Sequence, residues 1–142
     1  MNKIIAYLNN ENKVAWLVPM LEWTGTLEDI IQKDLGDKSY VVYNAEDFPS
    51  DFTFYNAWSL SNTGIVTDIP AAKAIWKDKW REARKSLLES LDIEFMKAVE
   101  SGDTEKQSEI ASKKQALRDV TKIEIAGNTP EEIKSIWPDI LK

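Results

Sequence analysis

Between Trp76 and Val99, the apolar residues Trp76, Trp80, Ala83, Leu87, Leu91, Phe95 and Val99 recur every third or fourth position. That is the repeat of one face of an α-helix, so the stretch is committed to a helix with one buried side. A strand would need alternation at every residue. Asp68 is a suitable N-cap for this helix, and Pro70 is tolerated in its first turn. Ser90 or Asp92 could restart a second helix, so a break near residues 90–92 is compatible with the pattern. Ser101-Gly102-Asp103 reads as a turn, with Gly102 past the helix end and Asp103 capping the next. That helix runs to about Asp119, with Ile110, Ala111, Leu117 and Val120 inward. Lys122–Ala126 alternates and reads as extended, and Gly127-Asn128 marks a turn. Thr129-Pro130-Glu131-Glu132 then starts a short helix, with Glu132 completing a capping box and Pro138 ending it. Ile133, Ile136 and Trp137 pin this tail onto an apolar surface.

The first half has a different rhythm. Residues 3–9 and 13–19 are apolar and β-favouring, with Asn9 and Asn10 suited to the turn between them and Pro19 limiting the second strand. Thr26 can cap a helix of about ten residues whose first turn holds Glu28 and Asp29. Leu27, Ile30, Ile31 and Leu35 form its stripe, and Gly36 stops it. Residues 39–44 and 52–60 read as strands, with a turn at Ser61–Gly64 after which residues 65–67 could return as another. The expected class is α+β: a small β-β-α-β-β unit over residues 1–69, then a helical hairpin with a short terminal helix over 70–142. A unit of that first size is marginal alone, so it is expected to lean on the helices or on another copy.

There is no cysteine and no histidine among the 142 residues. Disulfides, thiol chemistry, Cys/His zinc sites and Ser–His or Cys–His nucleophile pairs are therefore excluded. Only carboxylates, lysine, tyrosine and hydroxyls remain for acid–base work, and no catalytic, cofactor-binding or metal motif is present. Residues 1–70 hold four lysines and no arginine against ten acids, while residues 71–142 hold 14 of each sign. The whole net charge of −6 thus falls in the first half. Nucleic-acid binding needs clustered cations, and none are expected to serve it here. No stretch nears the roughly 18 apolar residues of a membrane helix, and the N-terminal run is too short for a signal segment. The chain reads as made and used in a cytoplasm, without a membrane.

Each candidate site has an ordinary structural explanation beside the functional one. Glu28/Asp29 and Glu131/Glu132 suit helix N-termini. Glu46, Asp47 and Asp51 are left as a candidate cation or partner contact. Lys77, Lys79, Arg81, Arg84 and Lys85 resemble a basic patch, but Asp78, Glu82 and Glu89 are interleaved. Asp78–Arg81 and Glu82–Lys85 are favourable spacings on a solvated face. Trp76, Trp80, Leu87 and Leu91 suit interdomain packing, or a coiled-coil seam for self-association. Phe52, Phe54, Tyr55, Trp58 and Trp23 concentrate aromatics in the acidic half. Trp23, beside Gly25, and Trp58 are the expected partner contacts from this group.

Three elements, in order, carry a family resemblance over residues 76–138. Trp80, Arg84, Leu87 and Leu88 form the first, followed by the turn Ser90-Leu91-Asp92. Gln115-Ala116-Leu117-Arg118-Asp119 forms the second, and Trp137-Pro138 closes the third. Together they resemble the tail-assembly and tail-fibre assembly chaperones of tailed bacteriophages. The chain departs from those proteins in its connector, where an aspartate-tryptophan-threonine turn is replaced by residues 93–113. The resemblance implies a non-enzymatic tail accessory protein without cofactor. Such a protein would assist a tail or tail-fibre protein or attach to it, as a monomer or a homo-oligomer, in the host cytoplasm or the virion tail. The alternative is a host-directed inhibitor that acts through the acidic surface. A carboxylate enzyme is the third reading.

Overall fold

The computed structural model describes residues 2–142 and has the α+β architecture read from the sequence. The chain divides into two compact units, Met1–Asp68 and Ile69–Lys142.

In the first unit, β1 (Lys3–Leu8) and β2 (Val14–Leu17) form the expected hairpin. The Asn9 side chain accepts from the backbone N–H of Glu11 and Lys13, while Asn12 takes the positive φ of the turn. β3 (Tyr40–Asn44) pairs antiparallel on the other side of β1, giving the order β2-β1-β3. Ile5 stands opposite both Leu17 and Val42, and Tyr7 opposite both Ala15 and Tyr40. A second two-stranded sheet pairs β4 (Trp58–Ser61) with β5 (Gly64–Thr67). The strand expected over 52–60 is therefore only its last third. Asp51 Oδ1 accepts from Thr53 N–H and hydroxyl, and Tyr55 N–H donates to Phe52 O, which curls residues 51–57 into turns.

Helix α1 (Leu27–Ile30) widens into a π turn over Ile31–Leu35. The i→i−5 bond from Gly36 N–H to Ile31 O closes this turn at 3.0 Å. Its apolar stripe is as expected: Ile30, Ile31 and Leu35 pack with Ile5, and Tyr7, Leu17 and Leu27 border them. Thr26 caps the helix through a complete capping box, taking the Asp29 N–H on its hydroxyl and giving its own N–H to Asp29 Oδ2.

In the second unit, α2 runs unbroken from Ile69 to Ser101, 33 residues or about 50 Å. No restart occurs at Ser90 or Asp92. Asp92 instead reaches across to Lys114 at 2.5 Å. The buried stripe runs through Ala72, Trp80 and Ala98, so at its far end Ala98 points inward and Val99 outward, the reverse of the expected pair. After the Gly102 turn, Asp103 caps α3 (Thr104–Asp119) by accepting from Lys106 N–H. Ile110, Leu117 and Val120 are buried, but Ala111 is exposed. Lys114 takes an inward place, its amine 5.4 Å from the centre of the Phe95 ring.

Residues 122–126 form no strand: a short 3₁₀ turn ends at Lys122, and Ile125 is buried. Thr129 caps α4 (Pro130–Lys134) as expected, accepting from Glu132 N–H. The Glu132 carboxylate, however, takes the N–H of Asn128, one residue before the cap.

Two measurements follow from this packing. Trp80 is wholly buried and its indole N–H has no hydrogen-bond partner among the described residues. Trp80→Ala is expected to lower stability by about 3–5 kcal/mol in urea unfolding, because it empties the largest buried site. Trp80→Phe is expected to cost far less, since it keeps most of the ring and removes a donor whose burial is unfavourable. The second concerns Asp29, whose carboxyl lies below its ordinary pKa, chiefly through the Thr26 backbone N–H and then the Thr26 hydroxyl. A depressed folded-state value adds stability that is complete above the ordinary carboxylate range and lost as pH falls through the folded value. Thermal unfolding followed from neutral to acid pH is expected to show a shallower acid limb for Asp29→Asn than for the unaltered chain.

Candidate functional site

Three features of the surface could serve a partner, and they differ in how firmly the surrounding residues hold them.

The first is the loop between β2 and α1. Met20 and Leu21 are 73% and 88% exposed, and Val18 and Trp23 beside them are also exposed. Such a run of large apolar side chains in water is the feature that needs explaining on a protein surface. The loop is nonetheless shaped. Trp23 N–H donates to Met20 O at 3.0 Å, and its indole Nε1 leans toward Thr26 O at 3.4 Å. Gly25 lies against the ring, where a Cβ would come within 2.6 Å of Trp23 Cζ2. The ring therefore needs a glycine there. The sequence reading singled out Trp23. It missed Val18, Met20 and Leu21, because loop residues have no periodicity to show which way they face.

The second is the aromatic assembly centred on Trp16. Phe52 stacks on Trp16 at 5.5 Å with 13° between the planes, and Tyr55 meets it edge-on at 5.6 Å. Phe48 and Trp58 complete the ring of neighbours, and Tyr55 Oη donates to Val14 O at 3.1 Å. Offset and edge-on contacts of this kind suit the aromatic quadrupole. Trp58 is half-buried in this assembly, so its ring serves the core more than the surface. Phe52 is the member left largely open to solvent.

Third are the acids. Glu46 and Asp47 lie on the 3₁₀ turn after β3, where Asp47 accepts from the Asn44 amide at 2.9 Å. Asp51 is engaged with Thr53. Each acid thus has a local role or faces solvent. Among the described residues, no three carboxylates gather in a way that could hold a metal ion.

The residues of the helical unit have structural employment. Trp76 Nε1 donates to Ile136 O at 2.7 Å, and its ring meets Trp137 edge-on at 5.6 Å. Arg84 Nη1 donates to the carbonyls of Leu117 and Arg118 at 3.3 and 2.9 Å, satisfying carbonyls at the end of α3. Leu87 and Leu91 are half-buried and line an open hollow of about 350 Å³ with Leu117 and Ile140. On the basic stretch, Asp78 pairs with Arg81 at 2.6 Å, whereas Glu82 and Lys85 do not pair. Ile93, Met96 and Val99 form a second exposed apolar set, on α2. Among the described residues, no helix is long and apolar enough to cross a membrane.

Comparison with protein-family models, curated proteins and solved structures finds no match.

Arg84→Met keeps the aliphatic stem and deletes both donors to α3. It is expected to cost about 1.5–3 kcal/mol in chemical denaturation. Arg81→Met, which loses only the exposed pair with Asp78, is expected to change stability by less than about 0.5 kcal/mol.

Proposed function

We propose that this chain is a non-enzymatic accessory protein of a bacteriophage tail, which binds a tail or tail-fibre protein during assembly or in the particle. The observation that carries the reading is the exposed apolar ridge of Val18, Met20, Leu21 and Trp23 on an acidic unit. Large apolar side chains held out from a shaped loop are the chemistry of recognition by surface complementarity, not of bond making. The resemblance to tail-assembly chaperones supplies the class of partner. Its residues Trp80, Arg84, Leu117 and Trp137 serve as the frame of the helical unit, so the contacts that choose a partner are sought in the first unit. Stable complexes of this kind bury about 1,200 Å² or more, so the ridge would be the centre of a wider interface.

Coexpression with the tail-fibre protein of the same operon tests the reading. Copurification is expected from the unaltered chain. Met20→Ser with Leu21→Ser is expected to weaken it at least tenfold with an unchanged unfolding midpoint, since these side chains support no core. Failure of the unaltered chain to copurify, together with its absence from purified particles by mass spectrometry, would count against a tail role. Binding to a host enzyme that is lost when Glu46, Asp47 and Asp51 are neutralised would instead favour the inhibitor reading.

A further inference from the structure

The outer edge of β3 carries a second kind of recognition chemistry. In its ladder with β1, Leu8 N–H donates to Ser39 O and Ala45 N–H donates to Asn2 O. With the observed register, these bonds make Asn2/Ala45, Ile4/Tyr43, Ala6/Val41 and Leu8/Ser39 the hydrogen-bonded pairs. Tyr40, Val42 and Asn44 therefore turn their backbone N–H and C=O away from β1. β3 is the last strand of its sheet, and among the described residues no bond is made to those outward groups. The opposite edge differs: at β2, the Val14 carbonyl already takes the Tyr55 hydroxyl and Pro19 follows closely.

Exposed edges are usually blunted by a lysine or proline within the strand, by a bulge or by a covering segment. β3 reads Tyr-Val-Val-Tyr-Asn, without charge or proline, and its register against β1 is continuous. Tyr40 and Val42 are 41% and 39% exposed and lie on one face of the strand. An added strand would thus find unpaired backbone groups and apolar neighbours at alternate positions.

Charge selects the occupant. Residues 33–47 carry Lys33 and Lys38 against Asp34, Asp37, Glu46 and Asp47. Lys3, whose amine donates to the Asn44 side-chain oxygen, adds a third positive charge beside the strand against these four acids. The surroundings are net acidic within a half that carries all of the −6. Pairing two copies through β3 would bring two such halves together. We infer that β3 is a docking edge for an extended segment of another protein in which β-branched residues alternate with lysine or arginine. The mode is β-strand addition: main-chain bonds bind, and alternate side chains choose. The inference rests on reading the chain as a binding protein.

The test uses the full chain, isotope-labelled and followed by NMR, with a synthetic peptide of alternating valine and lysine as the probe. Saturable shifts and slowed amide exchange are expected at Tyr40, Val42 and Asn44. An alternating valine–glutamate peptide is expected to bind at least tenfold more weakly. Val42→Pro removes an outward N–H and leaves the β1 ladder intact, so it is expected to abolish binding while the unfolding midpoint moves little. Tyr40→Lys, a charge at the same edge, is the second variant should the proline disturb folding. The inference is overturned by shifts confined to residues 18–23, by equal binding of the acidic peptide, or by no saturable shift at millimolar peptide. It is also overturned if the same amides respond to protein concentration alone, which would make a second copy the occupant. The titration decides the edge, and copurification separately decides the tail reading.

Discussion

Each unit is organised around a tryptophan ring, half-buried in the first and wholly buried in the second, and the rest depends on that constraint. The units hold about 70 residues each, a size at which folding buries a modest share of the chain's surface. With no cysteine and no histidine, neither a disulfide nor a zinc cluster can compensate. In the first unit, Trp16 on β2 gathers Phe48, Phe52, Tyr55 and Trp58 from the single stretch 48–58. In the second, Trp80 fills the middle of α2, and the Trp76–Trp137 contact ties the tail to its first turns. The unpartnered indole N–H of Trp80 shows the balance of terms: the area a tryptophan buries outweighs one orphaned donor.

Local signals in the sequence were legible, and distant ones were not. The caps at Thr26, Asp103 and Thr129 depend on residues three positions away, and all three form. The buried stripe of the first helix depends on spacing alone, and it too is found. Over the longer α2 the same spacing loses its aim. A 3.6-residue repeat read in steps of three and four drifts, so Val99 was assigned inward where Ala98 lies. The sequence does not mark Lys114 as an inward residue, because a lysine signals solvent, whereas here its amine lies over the Phe95 ring and pairs with Asp92. The curl at residues 51–57 rests on Asp51 bonding to Thr53, a competition between side chain and ladder that apolar alternation does not reveal. Of the candidate site, the exposure of Trp23 was readable from its loop position. The free edge of β3 was not, because it follows from strand order.

The residues that carry the resemblance and those proposed to meet a partner fall in different halves of the chain. Arg84 and Leu117 are occupied with each other across α2 and α3, and Trp137 with the Trp76 ring. Val18, Met20 and Leu21 have little to do with holding the fold, and neither do the outward groups of β3. A frame of this kind can keep its pattern while surface residues outside it change.

The length of α2 has a further consequence. At 33 residues it outruns α3, which has 16, so one helix is covered by two successive partners. α3 takes the stretch from Arg84 to Ala98, through Lys114 and Gln107, while the tail takes Trp76. The two covers also meet each other, where Ile140 of the tail lies with Leu117 of α3 beside Leu87 and Leu91. The helical unit is thus one long spine with two covers that also touch each other, so loosening the tail would expose part of the α2–α3 seam together with Trp76.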